Sequence, residues 1–214
     1  ATSSYEFQVA NNYAVAGRID NYSVPGLRIG MSGYWGRTFK NTLKTIGSRY
    51  KNVKGDLAIG SIDFTYDNHN WIIRGNADYA HLDDANAITA FNKNYPLHSA
   101  QDGSPSKHQP VASNAVSVAI EAGYDVFSRF AKLRESKDRL YVFGKYEYYD
   151  AMASSTYRSS YEWCKTNRIA FGLNYFPIRD LVIKAEYSKR FLKSTFNNEP
   201  SISVGVAWSG VLVN

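Results

Sequence analysis

The chain has one cysteine, Cys164, in 214 residues. No disulfide can therefore form within it, and no cysteine metal cluster is available. It also has no run of about eighteen apolar residues, the length a membrane-crossing helix needs. Even the Leu-Val-Ile of residues 181–183 is followed at once by Lys184, so helical membrane spanning is excluded. No basic segment leading into an apolar core opens the chain at Ala1, so no signal peptide is read there. The expectation is a mature chain or one incomplete at its N terminus. Helical periodicity is nearly absent, and no Ser, His and acid cluster or activated cysteine suggests catalysis, so the chain is not expected to be an enzyme.

What the chain has in excess is aromatic residues, at 15% with seventeen tyrosines, while its mean hydropathy of −0.40 is that of a water-soluble protein. Tyrosine has an apolar body and a polar tip and suits an oil-water boundary. The formal charge of +6 would suit anionic partners, among them lipid headgroups, so its placement along the chain matters more than its total. Nucleic acid is not an expected partner.

Period-two alternation recurs in segment after segment, the signature of strands with two chemically different faces. Tyr5, Phe7, Val9, Tyr13, Val15 and Ile19 alternate with polar residues, and a turn follows at Pro25 and Gly26. Leu27, Ile29, Met31 and Trp35 come next, ending near Phe39. In a third segment Leu57 and Ile59 have one parity and Ile62, Phe64 and Tyr66 the other, which predicts a bulge near Gly60. Further segments carry Trp71, Ile73, Ala77 and Tyr79; then Val116, Val118, Ile120, Ala122 and Tyr124; then Leu140, Val142, Tyr146 and Tyr148. The last three are built on Ile169, Phe171, Leu173 and Tyr175; on Leu181, Ile183, Ala185 and Tyr187; and on Ile202, Val204, Val206 and Trp208. Residues 83–114 form the longest stretch without strand character, with Asp83 or Asp84 placed to cap a short helix.

Each polar face carries full charges in mid-strand, while the opposite face is almost purely aliphatic and aromatic. Such a sheet separates water from oil along its length. In hydrocarbon every backbone polar group must be paired, which a sheet achieves only by closing on itself. The predicted fold is all-β: an antiparallel transmembrane β-barrel in the bacterial outer membrane, with about nine strands visible in a single domain over residues 1–214. Trp35, Phe39, Trp71, Tyr79, Tyr148, Phe176, Phe191 and Trp208 are expected in the two interfacial girdles. The competing soluble β-sandwich or lipocalin-like barrel alternates too, but with its apolar residues inward.

Short junctions at 21–26, 67–70, 131–138 and 177–180 are expected on the periplasmic side, and long ones at 38–54, 83–114, 151–166 and 194–199 outside. That phase starts the first visible strand at the outer face. At least one N-terminal strand is then missing, and the chain is expected to be the C-terminal part of a barrel of about 16–18 strands.

"NRIAFGLNYFPIRDLVIKAEYSKRF" at 167–191 and "PSISVGVAWSG" at 200–210 resemble the closing strands of porins of the phosphate-selective O/P type and of the Bacteroidetes porin-like proteins. The resemblance covers about the last quarter of the chain. It implies a trimeric channel with basic residues at a constriction; the usual C-terminal aromatic is replaced by "GVLVN".

The residues expected to line the lumen are Arg18, Arg28, Arg74, Asp78, Glu121, Asp125, Lys145, Glu147, Lys184, Glu186 and Arg190, with Glu6 and Asp63 on the same side. Opposite charges are nearly balanced, whereas an anion-selective wall should be positive. Lys184, Glu186 and Arg190, and likewise Lys145 and Glu147, are expected to form cross-strand ladders that neutralise one another, with direct solute contact as the alternative. The positive excess lies in Arg37, Lys40, Lys44, Arg49, Lys51 and Lys54 of the first outer loop, which could meet lipopolysaccharide phosphates or recruit anions. No metal or cofactor is expected, since Asp83, Asp84, His98 and His108 have no ligand spacing. The expected function is passive diffusion of small hydrophilic solutes, anions among them, in a homotrimer or larger membrane complex. The alternative is a non-conducting barrel that anchors a partner complex.

Overall fold

The computed structural model describes residues 12–38, 52–94, 111–135, 137–154, 164–192 and 200–209. They form nine antiparallel strands in one sheet, with spatial order identical to chain order. The strands are β1 (Ala14–Val24), β2 (Leu27–Arg37), β3 (Asp56–Asn68), β4 (Trp71–Leu82), β5 (Asn114–Asp125), β6 (Arg139–Ser154), β7 (Lys165–Ile178), β8 (Leu181–Phe191) and β9 (Ser201–Trp208). Helix α1 (Ala85–Asn94) follows β4, and a 3-10 turn (Val126–Arg129) and the one-turn helix α2 (Ala131–Arg134) precede β6. Among the described residues β1 and β9 do not pair with each other, so both outer edges of the sheet are unpaired.

Connections alternate between tight and long, as the spacing of turn residues predicts. Pro25 and Gly26 join β1 to β2, and Gly26 has φ 78. A Cβ there would lie 2.7 Å from the Asp67 carbonyl oxygen, so this corner needs glycine for its dihedral and for the close approach of the next hairpin. His69 and Asn70 have φ 51 and 65, the two left-handed positions of a type I′ hairpin turn.

Four sequence expectations need correction. No bulge occurs near Gly60: the β2–β3 and β3–β4 registers run unbroken, placing Leu57 and Ile59 on the polar face. Continuous ladder bonding on both sides of β3 outweighs two apolar residues near the strand end, where Leu57 lies opposite Gly36 and Ile59 has Ala16 and Tyr34 as neighbours. Phe176 also belongs to the polar face, where its ring packs edge-on against Tyr141 at 5.9 Å rather than facing the girdle. β6 runs to Ser154, past the loop start expected at residue 151. The β5–β6 connection is longer than expected because residues 126–134 fold into two short helical turns.

Register fixes which residues share a face. One face carries Val15, Ile19, Ile29, Met31, Trp35, Ile62, Phe64, Trp71, Ile73, Tyr79, Val118, Ile120, Val142, Tyr146, Phe171, Leu173, Ile183, Tyr187, Val204 and Trp208. The other carries Arg18, Asp20, Arg28, Asp63, Arg74, Asp78, Glu121, Lys145, Glu147, Arg168, Lys184, Glu186 and Arg190.

The apolar face is the exposed one: Met31 and Phe171 are each 60% exposed and Val204 75%. By contrast, Phe143 and Ala170 are buried on the polar face, Ala170 beside the buried Ser188, and a further buried apolar strand residue, Met152, stands at the long-loop end of β6. A soluble sheet would hide the first set, so Ile120, Ile183 and Val204 do not converge on a dry core. No helix among the described residues is long and apolar enough to cross a membrane, a statement that does not bear on strands.

At the end of the sheet bearing the long loops, Val53, Ala85, Ile88 and Thr89 are buried together. Thr89 Oγ1 accepts the Val111 N–H at 2.9 Å, tying α1 to the approach to β5. Asp84 stands at the start of α1, where its carbonyl accepts the Ile88 N–H. Its carboxylate accepts the Lys54 N–H at 2.9 Å, pinning the roots of two long loops to one another.

Candidate functional site

The polar face is concave: one cleft on it is lined by residues of five successive strands, from Arg28 on β2 to Glu147 on β6. Alternation aims these side chains to one side, and curvature brings them within reach of each other.

Two charge networks brace this face. In the first, Arg18 forks onto Asp20, with Nε and Nη2 both at 2.8 Å, and reaches Asp63 on β3 at 2.9 Å. Arg28 bridges the same two carboxylates, at 2.8 Å to Asp20 and 2.5 Å to Asp63. Two guanidiniums thus share two carboxylates across three strands, the bidentate geometry that makes arginine pairs specific. Gly30, opposite both Asp20 and Asp63, leaves room for the Arg18 guanidinium, which a Cβ there would strike.

In the second network Lys145 pairs with Glu147 at 2.7 Å, and Arg168 joins Glu147 at 2.8 Å to Glu186 at 2.6 Å. Arg168 also donates to Ser188 at 3.1 Å. Of the charges expected to neutralise one another, Lys145 and Glu147 do pair, whereas Glu186 pairs with Arg168 rather than with Lys184 or Arg190. Lys184 and Arg190 take no part: both are exposed, and Arg190 lies directly opposite Arg168, a like charge.

Between the networks Asp78 is held without a cation among the described residues. It accepts Ser61 Oγ at 2.5 Å, Asn76 Nδ2 at 2.6 Å and Ser117 Oγ at 2.8 Å. Arg74 and Glu121 are direct cross-strand neighbours, yet neither makes an ion pair or hydrogen bond through its side chain among the described residues.

Asp125 shares the polar face but does structural work at its rim. Only 2% exposed, it accepts the Phe127 N–H at 3.1 Å and the Leu140 N–H at 3.3 Å, and meets Arg139 Nε at 3.3 Å. It is withdrawn from the wall because the helical turns after β5 need their first N–H groups satisfied.

Arg168 and Asp20 were missed by sequence reasoning, although parity was sufficient to find them: Arg168 alternates with Ile169 and Asp20 with Ile19. In the basic outer loop Arg37 is paired with Asp56 at 3.0 Å, and the Lys54 side chain is exposed. Lys40, Lys44, Arg49 and Lys51 lie outside the described residues, as do Glu6, Phe39, His98 and His108. Asp83 pairs with His81 at 3.0 Å. Among the described residues no group of three or more His, Cys, Asp or Glu is placed to hold a metal. Cys164 is buried, and desolvation, followed by the field of Asp150, pushes its thiol pKa up.

No protein-family model matches the chain, and no curated protein matches it. Among solved structures it is similar to OmpT, an outer membrane protein of Vibrio cholerae folded in vitro, with 14% identity and TM-score 0.44 over 92% of this chain and 55% of that one. A loop L8 deletion mutant of the same protein gives 16% identity and TM-score 0.47, over 92% and 53% respectively. The chain thus spans about half the length of the solved chains it matches. Likenesses of this size leave its function to be argued from its own side chains, and the resemblance to phosphate-selective O/P porins rests on its closing strands alone.

Proposed function

We propose that this chain is part of the wall of a β-barrel in the bacterial outer membrane, enclosing a water-filled channel for passive diffusion of small hydrophilic solutes. The observation that carries the reading is the inverted sheet. Its aliphatic and aromatic face is the exposed one, while its charged face is concave and cross-linked by ion pairs. Water is a poor solvent for the first face and a good one for the second, and a bilayer around a wet lumen satisfies both.

Aromatic placement supports the same reading. Trp71 packs on Tyr124 with ring centroids 4.8 Å apart near one rim, while Trp35 and Tyr79 stand near the other. In this reading the long-loop end faces outside and meets lipopolysaccharide through its basic residues. The unpaired edges of β1 and β9 are closed by further strands, because an open ladder in hydrocarbon costs several kcal/mol per group. The seven cations and six anions that share the charged face nearly balance, so strong anion selectivity of the phosphate-porin kind is not expected. The wall conducts without a catalytic step.

The test is single-channel recording of the full-length protein in planar bilayers. Stepwise conductance with a reversal potential near zero in a salt gradient is expected. A well-folded barrel that never conducts would overturn the channel and favour the anchoring role.

A further inference from the structure

Arg74 and Glu121 face each other on β4 and β5, on the floor of the cleft that runs from Arg28 to Glu147. The cleft measures about 340 Å³, at the small end of ligand pockets, which run from about 300 to 1,000 Å³. The other charged groups lining it are already engaged: Arg28 and Asp63 with each other, Lys145 with Glu147. Arg74 and Glu121 are left with their hydrogen-bonding capacity directed at the cleft.

Arg28, Arg74 and Lys145 balance Asp63, Glu121 and Glu147, so the cleft as a whole has no net charge. A simple anion drawn to Arg74 meets the Glu121 carboxylate beside it, and a simple cation drawn to Glu121 meets Arg74. A solute with both a carboxylate and an ammonium group satisfies the two together, its carboxylate on the guanidinium fork and its ammonium on Glu121.

Resting on the channel reading above, we propose that the Arg74–Glu121 pair is a contact site for zwitterionic solutes, namely amino acids and short peptides.

The experiment measures concentration-dependent block of ion current through the reconstituted full-length protein by three probes of similar size. Glycylglycine is zwitterionic, N-acetylglycine anionic and glycinamide cationic. Glycylglycine is expected to block at a concentration about two- to fivefold lower than either singly charged probe, the scale of one exposed charge pair. The R74Q variant should erase its advantage over glycinamide and E121Q its advantage over N-acetylglycine. The charge-exchanged R74E/E121R variant should retain both, because a zwitterion can bind in the opposite orientation.

Equal block by the three probes, or an advantage that survives R74Q/E121Q, would overturn the site while leaving the channel standing. A silent membrane from folded protein would overturn the channel and the site with it.

Discussion

Ile120 and Ala119 are adjacent in the chain and lie on opposite faces, so one substitution placed at each compares the two solvents directly. Ile120 sits in the middle of β5, between Gly75 and Tyr146 on the neighbouring strands, and is 47% exposed on the apolar face. Ala119 lies between Asn76 and Glu147 on the charged face. If oil covers Ile120, I120R places a charge near the bilayer midplane at a cost of about 2–4 kcal/mol. If water covers it, exchange of an already exposed side chain changes stability by no more than about 0.5 kcal/mol. A119R projects beside Glu147 into the wet cleft and should fall within about 0.5 kcal/mol of the parent. The assay is reversible denaturant unfolding from phospholipid vesicles, comparing midpoints at constant slope. A neutral I120R, or an A119R as costly as I120R, would refute the assignment of faces.

The second charge network gives a further prediction. R168M leaves Glu147 and Glu186 without their shared fork, and should cost about 1–3 kcal/mol in the same assay. R168K should recover only part of this, because an ammonium cannot span both carboxylates with a planar fork. G172V should destabilise by about 1–3 kcal/mol, since a Cβ at Gly172 would strike the Phe143 ring and the Ala185 carbonyl oxygen. Cys164 should react with a maleimide at neutral pH at least about tenfold more slowly in the folded protein than after unfolding, because burial disfavours its thiolate. Labelling at equal rates would show that the site is open.

Alternation made the strands legible because a two-residue period is written into β8 almost without error, from Leu181 to Phe191. The residues that face the same way as Lys184 and Glu186 followed from parity alone. Partner choice did not. Arg168 could be assigned to the charged face by counting, but its bridging of Glu147 and Glu186 depends on registers set by the hairpin turns. Leu57, Ile59 and Phe176 misled because apolar residues near strand ends have small neighbours or another ring beside them on the polar face, and so tolerate the wetter side. Asp125 could not be separated from the wall charges by pattern, since its role comes from N–H groups in the turn that follows it.

The assignment of oil and water to the two faces is tested most directly along β8. Single nitroxide labels placed in turn at positions 182–188 of a Cys164→Ser protein in bilayers report collisions with oxygen, which prefers lipid, and with a nickel chelate, which stays in water. Oxygen accessibility should peak at Ile183, Ala185 and Tyr187, and nickel accessibility at Lys184, Glu186 and Ser188. Reversed phases, or two profiles that rise and fall together, would contradict a sheet standing between lipid and a wet lumen.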